Sequence, residues 1–301
     1  MKKYLSICLS FLFVMSLKAQ VTTVTGRDAM IINQKSTCGT TEQGKVRYGM
    51  WEGRVYSRVP GEKDRHLFNV LGINTRHCSV KEDKIKGLGY RSVSREIMVY
   101  MDPKTSEVID TWNNPWTDEE VEIVHVANDP VNMRGWSWEK DEEGKSKAKA
   151  SYRHYGKIAA TSYEIPLFYD NPLSSDYQAY IGGGYHAMEI FNTFYDAEEF
   201  TNPNIKSLGQ SNISWSRAAQ WLPWMIMGDR AGMMLFNATG YSTFDEKEIW
   251  PALRKILDER YPLYLTPPVL DDPRPNETSW TVFKKHMEGK EKIKVRGRNG
   301  H

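Results

Sequence analysis

Among the residues whose type and setting could do chemistry, His125 stands first. Alternation through residues 121–128 (VEIVHVAN) places it on one row with Val121, Ile123 and Ala127. Burial on an apolar row disfavours the charged imidazole, and a neutral imidazole can act as a general base near neutral pH. The competing reading is a core histidine with its ring nitrogens hydrogen-bonded. Asp129 follows at the Asp129-Pro130 step that ends this strand, near where a barrel would open. Arg95 shares a row with Val93, Ile97 and Val99, a setting that suits an anionic ligand or a structural carboxylate. His125, Asp129 and Arg95 form the expected catalytic set, with Arg95 or Arg217 stabilising developing negative charge.

Glu96 must point away from Arg95 and shares its row with Ser92, Ser94, Met98 and Tyr100, as pocket wall or as solvent face. His186 and Glu189 follow the Gly182-Gly183-Gly184 run three residues apart. A helix would bring them together as metal ligands, but the flanking residues read as strand, which separates them. The chain has no H-x-H, H-x-x-x-H or C-x-x-C spacing, no phosphate-binding glycine loop and no G-x-S-x-G elbow. No metal and no cofactor are expected. A pair of acid–base carboxylates brought together across strands cannot be read from one sequence. Tryptophan is abundant, ten in all, with clusters at 112/116, 136/138 and 215/221/224. Indoles line pockets for flat ligands and also fill cores. The expected ligand-facing set is Trp112, Trp116, Tyr100, Tyr185, His186, Arg217, Trp221 and Trp224.

The elements that must position these residues read mostly as strand. Period-2 alternation or strand composition marks 48–59, 66–78, 90–101, 107–112, 121–128, 155–169, 185–195, 211–218, 221–227 and 231–238. Pro60-Gly61 and Asp102-Pro103 mark turns, and the charged stretch 139–148 reads as a surface loop inside the domain. Helical patterns occur at 26–36, at 245–260 with Pro251 near its first turn, and at 278–287. Consecutive strands followed by helices, without βαβ alternation, predict a mainly β antiparallel meander with C-terminal helical elements. Closure into a lipocalin-like barrel would remove the long edges of such a sheet, and a sandwich is the alternative. The Gly-x-Trp-x-Gly-x-Val-Tyr strand at 49–56 resembles the first strand of lipocalin-like barrels.

A more specific resemblance rests on motifs in fixed order. These are Ser94-Arg95-Glu96-Ile97, Tyr100-x-Asp102-Pro103, Trp112-Asn113-Asn114-Pro115-Trp116 and His125-Val126-Ala127-Asn128-Asp129-Pro130-Val131-Asn132. Trp221-Leu222-Pro223-Trp224-Met225-x-Met227-Gly228 and Asp272-x-Arg274-Pro275-Asn276-Glu277-Thr278-Ser279-Trp280 follow. Together they resemble the bacterial domain-of-unknown-function family 1838, from about Arg27 to Lys285. The resemblance implies one domain and brings no reaction or catalytic residues with it.

Charge and processing bound the rest. The 301 residues carry a net charge of +2, of which +3 lies in residues 1–20 and +5 in residues 284–301, so the body is mildly acidic. Basic groups confined to a tail do not make a nucleic-acid face, and no nucleic-acid partner is expected. Met1-Lys2-Lys3, the apolar Leu5–Leu17 and Ala19 read as a signal peptide over residues 1–20, too short to span a membrane. Residues 21–283 read as one domain and 284–301 as a basic, disordered tail. The expected protein is periplasmic or secreted, with no membrane insertion after cleavage. Cys38 and Cys78 are permitted to pair there, although spacing alone does not establish the bond. The partner is a small organic or carbohydrate ligand, handled by acid–base chemistry (lyase, isomerase or hydrolase) or simply bound.

Overall fold

The computed structural model describes residues 20–132, 135–170, 173 and 182–298; most of the expected signal peptide lies outside the described residues. Strand β1 (Gln20–Thr25) leads into helix α1 (Gly26–Cys38). Strands β2 (Arg47–Arg58), β3 (His66–Asp83) and β4 (Gly87–Met101) follow, then β5 (Thr111–Asn113) and β6 (Glu120–Glu122). Next come β7 (Val126–Val131), β8 (Ser137–Trp138), β9 (Lys149–Tyr155), β10 (Ile158–Asp170) and β11 (Gly184–Asp196). After helix α2 (Ala197–Thr201) the chain forms β12 (Ser211–Ala219) and β13 (Met233–Thr243). It ends in helices α3 (Pro251–Arg260) and α4 (Ser279–Arg298).

The strands build one mainly antiparallel sheet in the order β1-β9-β10-β11-β12-β13-β2-β3-β4-β7, with β8 also paired to β4. Alternation gives the sheet two different faces. Inward positions include Trp51, Phe68, Val70, Met98, Tyr100, Tyr185, Trp215 and Phe236, which form the largest core cluster. On the outer face of β2–β4, Met50, Ile73, Ile97 and Val99 pack under Ile249, Leu253 and Leu257 at and within α3.

The sheet coils strongly. Helix α1 touches β9 and β1 at one end of the strand path and β4 at the other, and Tyr90 of β4 shares a core cluster with Ala150 and Ala159 of β9 and β10. No ladder joins the two ends among the described residues, so a closed lipocalin-like barrel is not detected. Glu139 spans the gap at the α1 end instead. Its N–H donates to Leu88 O (2.9 Å), and its C=O accepts from Lys147 and Ala148 (3.0 and 3.1 Å). Ala148 O in turn accepts from Gly26 (3.0 Å).

Helix α1 is secured in three ways. A Cys38–Cys78 disulfide ties it to β3. Buried Lys35 donates to the carbonyls of Glu199 and Asn202 (2.6 and 2.7 Å), and Gly39, with φ 75°, ends the helix in the left-handed region where glycine is favoured. The opposite end is filled by the 3-10 turn at Pro223–Met225, by the β5–β6 hairpin and by Trp280 and Phe283 of α4.

Four stretches differ from the sequence reading. Residues 221–227 are not a strand: Pro223 starts a 3-10 turn whose Trp224 and Met225 are buried. The expected return strand at 107–112 makes only a bridge, Met101 to Val108, before pairing as β5 with β6. The stretch 121–128 is broken, so His125 lies between β6 and β7 and shares no strand with Val121. Helix α4 continues through Lys284 to Arg298, where the sequence suggested a tail. No helix among the described residues is long and apolar enough to cross a membrane.

Candidate functional site

Halfway along the concave face, side chains from five strands converge. β4 contributes Glu96, β3 Asn74 and Arg76, β11 Glu189 and Tyr185, β12 Arg217 and Trp215, and β2 Trp51. Register sets their heights: Asn74 pairs with Glu96, Glu189 with Arg217, and Arg217 with Phe236. Asn74 Nδ2 donates to Glu96 Oε2 at 3.4 Å and to Ser94 Oγ at 3.4 Å. Arg217 places Nη1 3.2 Å from Glu189 Oε1 and donates from Nη2 to the Tyr185 hydroxyl at 2.8 Å. Its guanidinium also lies 5.8 Å from the centre of the Phe236 ring.

Aromatic rings bracket this polar belt. Towards the α4 end, Tyr185 packs on Trp280 and Tyr169 with centroids 5.3 and 5.2 Å apart. Towards the α1 end, Trp215 stacks on Phe191 at 6.3 Å and meets Trp51 edge-on at 6.5 Å. Glu189 and Arg217 keep 17% and 16% of their side-chain surface accessible although they lie beneath the sheet. The belt is therefore enclosed but not sealed.

The electrostatics follow from that enclosure. Burial, and then the charge of Glu189, push the Glu96 carboxyl up to about 7, against the opposing pull of Asn74, Arg76 and Arg217. Burial alone would lower the pKa of Arg217, but Tyr185 and Glu189 outweigh it and the guanidinium stays charged. Burial raises the Tyr100 phenol, so it stays protonated. A carboxyl poised near neutrality can both give and accept a proton, and a fixed guanidinium beside it can stabilise an oxyanion.

The expected catalytic set is distributed over two places. Arg95, on the outer face of β4, donates from Nε to Asp129 Oδ1 at 2.6 Å and from Nη1 to Thr266 O at 2.9 Å. Arg274 joins Asp129 to Asp272, with Nη2 at 3.0 Å and 2.7 Å. Burial alone would raise Asp129, but Arg274 and Arg95 hold its carboxyl below the ordinary range. His125 stands apart from this brace. Its Nδ1 accepts from the Tyr100 N–H at 3.1 Å and its Nε2 lies 3.5 Å from Asp110 Oδ1. Desolvation lowers it to about 4, with Asp110 opposing and Arg260 reinforcing, so the imidazole is neutral at physiological pH. Arg217, the alternative stabilising group, is the one that reaches the concave belt.

The ligand-facing set divides as well. Tyr185 and Arg217 line the belt, and Tyr100 lies in the field of Arg217. Trp112, Trp116, Trp221 and Trp224 form one aromatic cap over the end of the sheet. Within the cap, Trp116 Nε1 donates to Glu62 (3.0 Å) and Trp221 Nε1 to Arg230 O (3.0 Å). A shallow groove of about 510 Å³ runs beside this cap, lined by Val59, Glu62, Met227, Asp229 and Arg230 among others. His186 is on the exposed face against Phe168. Glu189 points the other way, so the two do not form a ligand pair. Among the described residues, no three His, Cys, Asp or Glu gather as a metal-holding group.

Glu189, Asn74 and Trp51 were not expected at a site. The polar row of Glu96 with Ser92 and Ser94 was the available signal for that wall. Nothing local marks Glu189 as its counterpart.

A family model described as "Protein of unknown function (DUF1838)" matches residues 44–287, a span that contains every residue of the concave belt. No curated protein matches the chain.

Proposed function

The chain belongs to the DUF1838 family, and because that name specifies no reaction, we propose a function from the geometry: acid–base chemistry on a small organic ligand held on the concave face. In this reading Glu96 gives and takes the proton. Arg217 stabilises negative charge as it develops, and Glu189 and Tyr185 hold the guanidinium in place. Trp51, Trp215 and Phe191 supply the apolar wall. The coiled sheet works as a lipocalin-like barrel, stopped at one end by α1 and at the other by the tryptophan cap. Residues Arg95, Asp129 and His125 maintain the frame around it. The observation that carries the reading is the meeting of Glu96 with the Glu189–Arg217 pair, from opposite walls, in an enclosed belt.

The same reading places the protein in the periplasm or outside the cell. The basic and apolar leader supports export, and the Cys38–Cys78 bond fits an oxidising compartment.

The test is ligand capture. Mature protein is equilibrated with a small-molecule extract of the producing cells, washed, and its retained compounds identified by mass spectrometry. A compound held by the wild type and lost in Arg217→Met of unchanged melting temperature supports the reading. Equal retention by the two proteins overturns it.

A further inference from the structure

Three hydrogen-bond donors on the concave face have no acceptor. Trp51 Nε1, Trp215 Nε1 and Arg217 Nε are buried and have no hydrogen-bond partner. They form one neighbourhood: the two indoles are 6.5 Å apart, and Phe236 lies against both Trp215 (5.6 Å) and Arg217 (5.8 Å). Buried N–H groups without acceptors are rare in folded proteins, and each calls for a partner.

The open groups are all of one kind. Arg217 is already paired with Glu189 through Nη1, and its Nε is left beside the two indole N–H groups. A neutral hydroxyl would bring a donor of its own to three groups that only donate, and an ammonium-type cation has no lone pair to offer them. A carboxylate is acceptor-only, with about four lone-pair sites, and pairs well with a guanidinium edge.

We infer that the ligand is a small organic anion. Its carboxylate, or an equivalent oxyanion, accepts from Arg217 Nε and from the indole N–H groups of Trp51 and Trp215, while its flat apolar body lies against Trp215 and Phe191. This rests on the concave face being the ligand site and names the class of molecule it takes.

Calorimetry and tryptophan fluorescence on the full mature chain test it, with two matched pairs of probes: benzoate against benzamide, and indole-3-acetate against indole-3-acetamide. The carboxylates bind the wild type roughly 10- to 100-fold tighter than the amides, as charge-assisted hydrogen bonds require. Arg217→Gln removes that preference. If Arg217→Gln does not fold, the double variant Trp51→Phe/Trp215→Phe, which keeps the rings and deletes two donors, weakens carboxylate binding about tenfold and serves in its place. If amides bind as tightly as carboxylates, and their fluorescence quenching is lost in the double Phe variant, the site stands and the anion preference falls. If no probe of either class binds, both the site and the preference are overturned.

Discussion

Glu96 and Glu189 project from β4 and β11, strands five places apart in the sheet order, onto the same concave face, close enough that the charge of Glu189 helps raise the pKa of Glu96. Burial and the neighbouring carboxylate together keep the proton on Glu96 to higher pH than an ordinary carboxyl, although Arg217 pulls the other way. Arg217 lies 3.2 Å from Glu189 and is hydrogen-bonded to Tyr185.

That arrangement predicts an unusual dependence of stability on pH. Glu96 titrates at about 7 in the fold against 4.5 ordinarily, so between these values the folded state holds a proton that the unfolded chain has lost. Its contribution falls as pH rises through that window. His125 titrates at about 4 in the fold against 6.5 ordinarily, so its contribution is present above 6.5 and is lost as pH falls towards 4. The two slopes oppose each other in the wild type. Urea midpoints measured from pH 4 to 8 separate them: Glu96→Gln becomes more stable, relative to the wild type, as pH rises, whereas His125→Asn, which keeps an acceptor for the Tyr100 N–H, shows the reverse. Parallel curves for all three proteins would refute the assignment of both groups.

The Arg95–Asp129–Arg274 brace predicts a structural phenotype. Arg95 is only 12% exposed, and removing its carboxylate partner leaves a largely buried guanidinium without its counter-charge. Asp129→Ala is therefore expected to cost roughly 1–3 kcal/mol in denaturant unfolding. Ligand capture by the folded protein stays unchanged. Lost capture at full stability would place Asp129 at the site instead.

The Cys38–Cys78 bond closes a segment with a sequence separation of 40 and fixes α1 under the sheet. The Cys38→Ala/Cys78→Ala variant is expected to lose roughly 2–4 kcal/mol of stability. Amide hydrogen exchange in residues 26–38 should rise more than in β12 or β13, because α1 loses its covalent tie while those strands keep both neighbours. Uniform exchange across the chain would contradict that role.

Much of the fold was legible because period-2 alternation survives wherever one face of a strand packs on the core. The strands around residues 48–59, 90–101 and 185–195 all lie close to where the pattern put them. The same alternation separated Arg95 from Glu96, and the structure places them on opposite faces. It failed where packing overrode it. His125 looked like a strand residue because it alternates with Val121, Ile123 and Ala127, yet the chain breaks between β6 and β7, and Val121 and Ile123 are buried in the core cluster that Trp112 and Trp224 share. The turn at Pro223 was hidden by the apolar residues around it, whose burial comes from plugging the sheet and not from joining it. The partnership of Glu96 with Glu189 depends on coiling that carries the sheet past the four strands between them, a relation that no local pattern encodes.

The most direct test of the account is conversion of the captured compound. Wild type, Glu96→Gln and Glu189→Gln, each confirmed folded, are incubated with it at pH 7, and substrate and product are followed by mass spectrometry. The account predicts turnover by the wild type, and retention without turnover by Glu96→Gln, where the proton donor is gone and the shape is kept. Glu189→Gln should be slowed, because Arg217 loses its counter-charge. Turnover by Glu96→Gln at the wild-type rate would contradict the role of Glu96 and with it the proposed chemistry.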